Sequence, residues 1–117
     1  MWIWIAAILG ALAVVAGAFG AHGLQGRLTA EQLASWSTAS QYHLVHSIVL
    51  LALALFSLQS GREIRIPGSL FVAGTALFSG SIYLLLLTGQ KWLGPVTPLG
   101  GLLLIAGWLS LFTLARD

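Results

Sequence analysis

Long apolar runs separated by short charged segments divide the chain. Its charged residues are Arg27, Glu31, Arg62, Glu63, Arg65, Lys91, Arg116 and Asp117. The uncharged runs between them cover residues 1–26, 32–61, 66–90 and 92–115. Each exceeds the roughly 20 residues that a helix needs to cross a hydrocarbon core about 30 Å thick. The runs lack the in–out alternation of barrel strands, and lipid admits only helices or closed barrels. The pattern therefore predicts four transmembrane helices.

The second helix has an unusual polar beginning. Thr29 and Gln32 fit a capping box, in which each side chain bonds the backbone of the other residue, so a helix start is predicted there. Residues 30–41 are too polar for lipid. This lead-in is expected to lie outside the bilayer or in its interface, where Trp36 and Tyr42 are suited to the headgroup level.

Proline and glycine mark the later helix ends. Pro67 is predicted at the first position of the third helix and Gly89 at its exit. Residues 94–98 are predicted to form a turn into a fourth helix that ends at Arg116. The expected spans are about residues 2–22, 42–60, 67–88 and 96–115. Short loops make neighbouring helices antiparallel, so the chain is predicted to be one domain, a compact antiparallel four-transmembrane-helix bundle of the all-α class.

Composition supports a membrane protein. The 117 residues are 58% hydrophobic and 7% charged, whereas a soluble domain carries roughly 25% charged residues. The net charge of +2 is too small for a nucleic-acid surface, so the bilayer is the expected partner. Cysteine is absent, which excludes disulfides, thiolate metal sites and a cysteine nucleophile.

Loop charges predict the orientation. Counting only Lys and Arg, one side of the membrane has Arg62, Arg65 and Arg116, and the other has Arg27 and Lys91. The positive-inside rule then places both termini in the cytoplasm. The first run has no basic n-region, which favours a transmembrane helix over a cleaved signal peptide.

Small residues indicate where helices meet. They recur at helical spacing as Ala6, Gly10, Ala13 and Gly17 in the first helix, Ala73, Ala76 and Gly80 in the third, and Gly100 and Gly107 in the fourth. Such faces let two backbones approach closely. They are interpreted as packing within the bundle or, alternatively, as an interface for a homo-oligomer or a larger membrane complex.

Polar side chains concentrate at one end of the predicted bundle. The antiparallel arrangement places the following residues near the outer leaflet: His22, Gln41, Tyr42, His43, His46, Tyr83, Thr88 and Thr97. His43 and His46 are spaced i, i+3, which puts them on one helix face. This cluster is the main candidate site.

Three interpretations of the cluster remain open. Paired polar groups can lock the helices together, at about 0.6 to 2 kcal/mol per contact. A protonatable or small-molecule site is the second interpretation, because ionisable residues inside membranes usually have a function. The third is a metal or haem site with His22, His43 and His46 as candidate ligands. The only nearby carboxylate is Glu31 and the helix motif of zinc peptidases is incomplete, so no cofactor is predicted.

Enzyme and transporter readings have little support. Ser79 resembles an intramembrane serine nucleophile, but such a nucleophile needs a base within hydrogen-bond reach. The predicted histidines lie farther along the bundle, and serine beside glycine more often packs helices. A transport pathway lacks a midplane charge or a broken helix. The chain is therefore not expected to be an enzyme.

The whole chain resembles a known family. The strings that carry the resemblance are residues 17–24 (GAFGAHGL), 38–46 (TASQYHLVH), 78–84 (FSGSIYL), 87–89 (LTG), 97–101 (TPLGG) and 106–108 (AGW). In combination they resemble family 423 of the domains of unknown function, the YgdD/YwdK-like small inner-membrane proteins. The family pattern includes the positions of His22, Gln41, Tyr42, His43, His46, Ser79, Gly80, Thr97, Pro98 and Trp108.

The resemblance implies a four-helix protein of the bacterial inner membrane and no established activity. Two hypotheses follow. One is a non-enzymatic accessory or scaffold protein that binds membrane partners or lipid and uses the polar cluster as an internal lock. The other is a module that binds a ligand, a metal or a proton at the cluster.

Overall fold

Four membrane-length helices make up the protein in a computed structural model, which describes residues 1–115. They are α1 (Trp2–Ala18), α2 (Ala30–Ser60), α3 (Arg65–Thr88) and α4 (Val96–Ser110). A π-helical turn, Phe19–Gly23, prolongs α1, and 3-10 turns at Lys91–Leu93 and Leu111–Ala115 flank α4. With these turns, four helices are long and apolar enough to cross a membrane. The predicted all-α bundle is confirmed; the expected helix end at Arg116 lies outside the described residues.

The capping box at the start of α2 is present. Thr29 Oγ1 accepts a hydrogen bond from the Gln32 backbone N–H at 3.1 Å, and Gln32 Oε1 accepts from the Thr29 N–H at 2.9 Å. The helix then continues unbroken for 31 residues, or about 46 Å at 1.5 Å per residue. Because the hydrocarbon core is about 30 Å thick, the polar lead-in continues the helix beyond one face of that core.

The helix α3 begins at Arg65, two residues before the proline that sequence reasoning placed first. Pro67 therefore occupies the third helical position. Its missing N–H is harmless there, because the first N–H groups of a helix have no partner within it. Gly89 ends the helix in the left-handed conformation, with φ of 73°, which glycine adopts without strain.

The helices pack in the order of the chain. The most extensive contact is between α3 and α4, followed by α1 with α2 and α2 with α3. An apolar core of Leu53, Ile64, Phe71 and Leu104 lies toward the α2–α3 loop. The buried polar residues lie mainly in the other half of the bundle, so the two ends differ in chemistry.

Two of the three predicted small-residue faces lie inside the protein. Ala6 and Ala13 are buried, with Gly10 facing the Ser47 side chain and Gly17 facing Ser40. On α4, Gly100 lies against the backbone at Phe78, and Gly107 faces the Phe71 ring.

The third face does not pack against any other helix in the described chain. Ala73 and Ala76 are exposed, and no neighbouring atom lies within 4 Å of the position a Gly80 side chain would take. The interior of α3 is formed instead by the opposite side, where Gly74 contacts Leu104. Of the two interpretations of the small residues, packing within the bundle therefore does not apply to this face of α3, which is directed outward.

Candidate functional site

Trp36 joins α2 to α1. Its indole Nε1 donates a hydrogen bond of 2.7 Å to the Ala16 carbonyl, and only 4% of the residue is exposed. Gly20, in the π-helical turn, lies so close to the indole that a methyl group there would overlap it. Trp36 was expected at the depth of the membrane interface, and at its position on α2 the side chain is directed into the bundle, where it bonds this carbonyl and packs over Gly20.

Two hydrogen bonds join α2 to α3. Ser79 Oγ, 1% exposed, donates to the Ala39 carbonyl at 2.7 Å. His43 Nδ1 and the Tyr83 hydroxyl are hydrogen-bonded at 3.0 Å. Tyr83 also packs on Trp36, with ring centroids 4.6 Å apart. The α1, α2 and α3 helices thus meet around one aromatic and polar layer.

His46 connects α2 to α4, and its partners fix its protonation. Nδ1 lies 2.7 Å from the Tyr42 carbonyl, which can only accept, so this nitrogen carries the proton. Nε2 accepts a hydrogen bond of 3.1 Å from Trp108 Nε1. His46 is therefore the Nδ1–H tautomer in this arrangement, and both of its ring nitrogens have hydrogen-bond partners.

A hydroxyl pair joins α3 to α4. Ser81 Oγ and Thr97 Oγ1 lie 2.5 Å apart, and Ser81 is buried. Together with the bonds of Trp36, Ser79, His43 and His46, this pair completes an interhelix network that connects all four helices through α2 and α3.

Three members of the predicted cluster lie outside this network. His22 is exposed in the π-helical turn. Gln41 is exposed and bonds Ser37 one turn earlier on its own helix. Thr88 is exposed and donates to the Leu84 carbonyl, also on its own helix. Within residues 1–115 no group of three or more His, Asp or Glu side chains is placed to hold a metal ion, so the three candidate histidine ligands do not converge.

Tyr42 has an intermediate position. Its side chain is 46% exposed, but its ring packs on Phe78 of α3 with centroids 4.8 Å apart. Its backbone carbonyl is the acceptor that fixes the His46 tautomer. Tyr42 thus supports the network without joining it through its hydroxyl.

Among the side chains of residues 1–115, one buried polar atom lacks a hydrogen-bond partner. It is His43 Nε2, which is inaccessible in a residue that is only 7% exposed. The backbone of Leu9 on α1 approaches this ring but does not meet hydrogen-bond geometry. An unsatisfied buried group costs about 1–3 kcal/mol, so a polar group that formed a hydrogen bond with this atom would stabilise it.

Sequence reasoning did not include Trp36 or Ser81 in the cluster, although both join helices in the network, and Trp108 entered only through the family resemblance. It also overlooked two other buried polar residues of α2, Ser40 and Ser47, whose hydroxyls bond carbonyls of their own helix. Their signal was available, because residues 36, 40, 43 and 47 repeat at three- and four-residue intervals and so share one helix face.

Comparisons with known proteins find membrane proteins of similar sequence. The chain matches the family described as "Protein of unknown function (DUF423)" over residues 16–101. It is 41% identical to a UPF0382 membrane protein of Staphylococcus aureus (strain bovine RF122), covering 95% of this chain and 91% of that protein. It is 40% identical to the UPF0382 membrane protein YwdK of Bacillus subtilis, covering 98% and 95%. A UPF0382 membrane protein of Schizosaccharomyces pombe is 42% identical, covering 95% and 98%. No solved structure matches.

Proposed function

This chain belongs to the DUF423 family of membrane proteins, and from that premise we propose that it is a non-enzymatic accessory protein that binds a partner's transmembrane helix on the outer face of α3. The partner helix belongs to a second copy of the chain or to a larger membrane complex. The polar network has a structural role in this proposal, since it holds the four helices in a fixed arrangement.

The observation that carries the proposal is the outward face of α3. Ser69, Ala73 and Ala76 are exposed, and Gly80 has open space before it. These residues are spaced by four, three and four positions, which places them in one smooth stripe. In lipid, helices associate through close van der Waals packing rather than hydrophobic burial, and small residues favour it. The corresponding faces of α1 and α4 are already filled by helices of the same chain.

The hydrogen bonds that Ser79 and His46 make within the bundle support a non-enzymatic role. The Ser79 hydroxyl donates to a backbone carbonyl rather than to a histidine, whereas a serine nucleophile needs a base beside it. Both His46 nitrogens already have partners. Ser79 and His46 therefore serve as contacts between helices.

We further propose that the protein lies in the bacterial inner membrane with both termini in the cytoplasm. Support comes from the loop charges: Arg62 and Arg65 precede or begin α3, on the same side as the N-terminus, and Arg116 follows α4. The opposite side has Arg27 and Lys91, so the positive-inside rule favours this orientation.

Blue-native electrophoresis of gently solubilised membranes tests the partner face. The Ala76→Leu variant places a bulky group on the face, and Ala11→Leu is a matched control at an exposed position of α1. We expect the wild type and the control to migrate in a complex larger than the monomer and Ala76→Leu to migrate as the monomer. A monomeric wild type, or an intact complex in Ala76→Leu, would contradict the proposal.

A second candidate function rests on His43 Nε2. Because this buried atom has no hydrogen-bond partner within residues 1–115, a small polar ligand that forms a hydrogen bond with it would be stabilised. The test is a His43→Ala variant with metal analysis and mass spectrometry of the purified protein. A co-purifying species that the wild type holds and the folded variant loses would establish this function; a variant that only loses stability would refute it.

A further inference from the structure

The α2 and α4 helices leave an open apolar groove between them, in the half of the bundle nearest the α2–α3 loop. Its volume is about 520 Å³, within the roughly 300–1,000 Å³ of typical ligand pockets. The groove lies between Ala52, Leu53 and Phe56 on α2 and Trp108, Leu111 and Leu114 at the C-terminal end of the chain's last helical segment. Residues 49–56 of α2, which form one wall, rise by about 10 Å.

One hydrogen bond lies near each end of the groove and involves a residue that lines it. At the end toward the middle of the bundle, Trp108 Nε1 donates to His46 Nε2 on α2. At the end near the α2–α3 loop, the guanidinium of Arg62 in that loop donates to the Leu114 carbonyl at 2.6 Å. Both helices are thus held at a fixed distance, and the space between these two bonds is shaped by the fold.

The positive charge of Arg62, near the end of the groove at the α2–α3 loop, favours a ligand with a negative charge. Arg62 is partly buried, and a guanidinium has five N–H donors in a geometry that suits phosphate oxygens. The adjacent carboxylate, Glu63, lies 3.6 Å from the Arg65 guanidinium, so it is paired with a different arginine. An apolar groove that ends at a cation at headgroup level is complementary to a lipid with an anionic headgroup.

We propose that this groove binds an anionic phospholipid, with one acyl chain between α2 and α4 and the phosphate against Arg62. The Trp108 ring contributes a flat apolar wall, since its N–H is directed away to His46. The proposal deepens the accessory function by naming a lipid, but it concerns another surface than the outer face of α3. Loss of the complex in Ala76→Leu and loss of lipid from the groove are separate results, so either proposal can fail alone.

Native mass spectrometry from detergent tests the headgroup contact. The purified protein is incubated with phosphatidylglycerol or phosphatidylethanolamine that has the same acyl chains. We expect about fivefold higher occupancy by phosphatidylglycerol, because one arginine at the membrane surface contributes about 1 kcal/mol to anionic lipid binding. Arg62→Gln should abolish this preference and Arg62→Lys should keep it. The matched control Arg65→Gln should also keep it.

A second pair of variants tests the groove independently of Arg62. Ala52→Trp places an indole in the groove, whereas Leu102→Trp makes a similar change at a lipid-facing position of α4 that is 62% exposed. We expect Ala52→Trp to lose bound phosphatidylglycerol and Leu102→Trp to retain it. This pair decides the question if Arg62→Gln fails to fold.

Three results would overturn the proposal. They are equal retention of the two lipids by the wild type, unchanged lipid retention in Ala52→Trp, and displacement of the lipid by inorganic phosphate. The last result would assign the Arg62 contact to a free anion instead of a lipid.

Discussion

Replacing Trp108 by phenylalanine isolates the bond between α2 and α4. The substitution removes the indole N–H that His46 accepts at 3.1 Å but keeps an aromatic ring against Phe71, whose centroid lies 5.6 Å away. Interhelix hydrogen bonds in membranes contribute about 0.6–1.7 kcal/mol. His46 is 6% exposed, so its unsatisfied Nε2 adds about 1 kcal/mol. We expect the free energy of unfolding to fall by about 1.5–3 kcal/mol.

The assay is reversible unfolding with SDS in mixed micelles, run as a double-mutant cycle of Trp108→Phe and His46→Leu. Because the two side chains contact each other directly, we expect a coupling energy of about 1 kcal/mol. The matched control is Trp4→Phe, at a tryptophan that is 76% exposed and makes no hydrogen bond within residues 1–115. The control should change the unfolding free energy by less than about 0.5 kcal/mol.

A coupling energy near zero, with Trp108→Phe no more destabilising than Trp4→Phe, would contradict this prediction. It would mean that the His46–Trp108 bond does not stabilise the bundle, and the assignment of the His46 tautomer would lose its basis.

Gly20→Ala should lower the unfolding free energy by about 1–3 kcal/mol, because the added methyl group overlaps a buried indole; Gly80→Ala, which meets open space, should not lower it, and SDS unfolding compares the two. Thr29→Ala should cost about 1 kcal/mol by removing the helix cap, and faster amide exchange confined to the first turn of α2 would detect it. Since the chain has no cysteine, a membrane-impermeant maleimide applied to intact cells should label Gln25→Cys and not Gln59→Cys; the reverse pattern would invert the proposed orientation.

The sequence was sufficient for the helices and for several of their ends. Four uncharged runs long enough to cross a bilayer leave few alternatives once every backbone group must be satisfied in lipid. The Thr29–Gln32 capping box and the exit at Gly89 are local signals that depend on few other residues. The start of α3 was predicted two residues too late, because proline is tolerated throughout the first turn of a helix and does not mark its first residue.

Sequence reasoning grouped the candidate residues by their position along the bundle axis, but it did not predict the direction in which each side chain points. Placing residues at one end of a bundle does not fix how each helix is rotated about its axis. Gln41 and His43 are two positions apart and so point about 200° apart around the helix, which leaves one exposed and the other buried. The Thr88 hydroxyl donates to a carbonyl of its own helix instead of to another helix, and threonine can form such a local bond at any helical position. His22 lies in a π-helical turn, and no pattern in the sequence predicted that turn.

The sequence did not predict the outward direction of Ala76 either, because it does not determine the rotation of α3 about its axis. A stripe of small residues has the same appearance in sequence whether it packs inside the chain or faces outward. Only the position of the opposite side of α3, where Gly74 contacts Leu104, shows which of the two applies.

Two positions on α3 that are three residues apart separate the partner-binding face from the polar network. Ser79 faces inward and bonds the Ala39 carbonyl, whereas Ala76 faces outward. Unfolding free energy and migration on a blue-native gel are measured for Ser79→Ala and Ala76→Leu. We expect Ser79→Ala to lose about 1 kcal/mol of stability and keep the complex, and Ala76→Leu to keep its stability and lose the complex. If instead Ser79→Ala loses the complex at unchanged stability and Ala76→Leu keeps the complex, the function lies in the polar network and not on the outer face of α3.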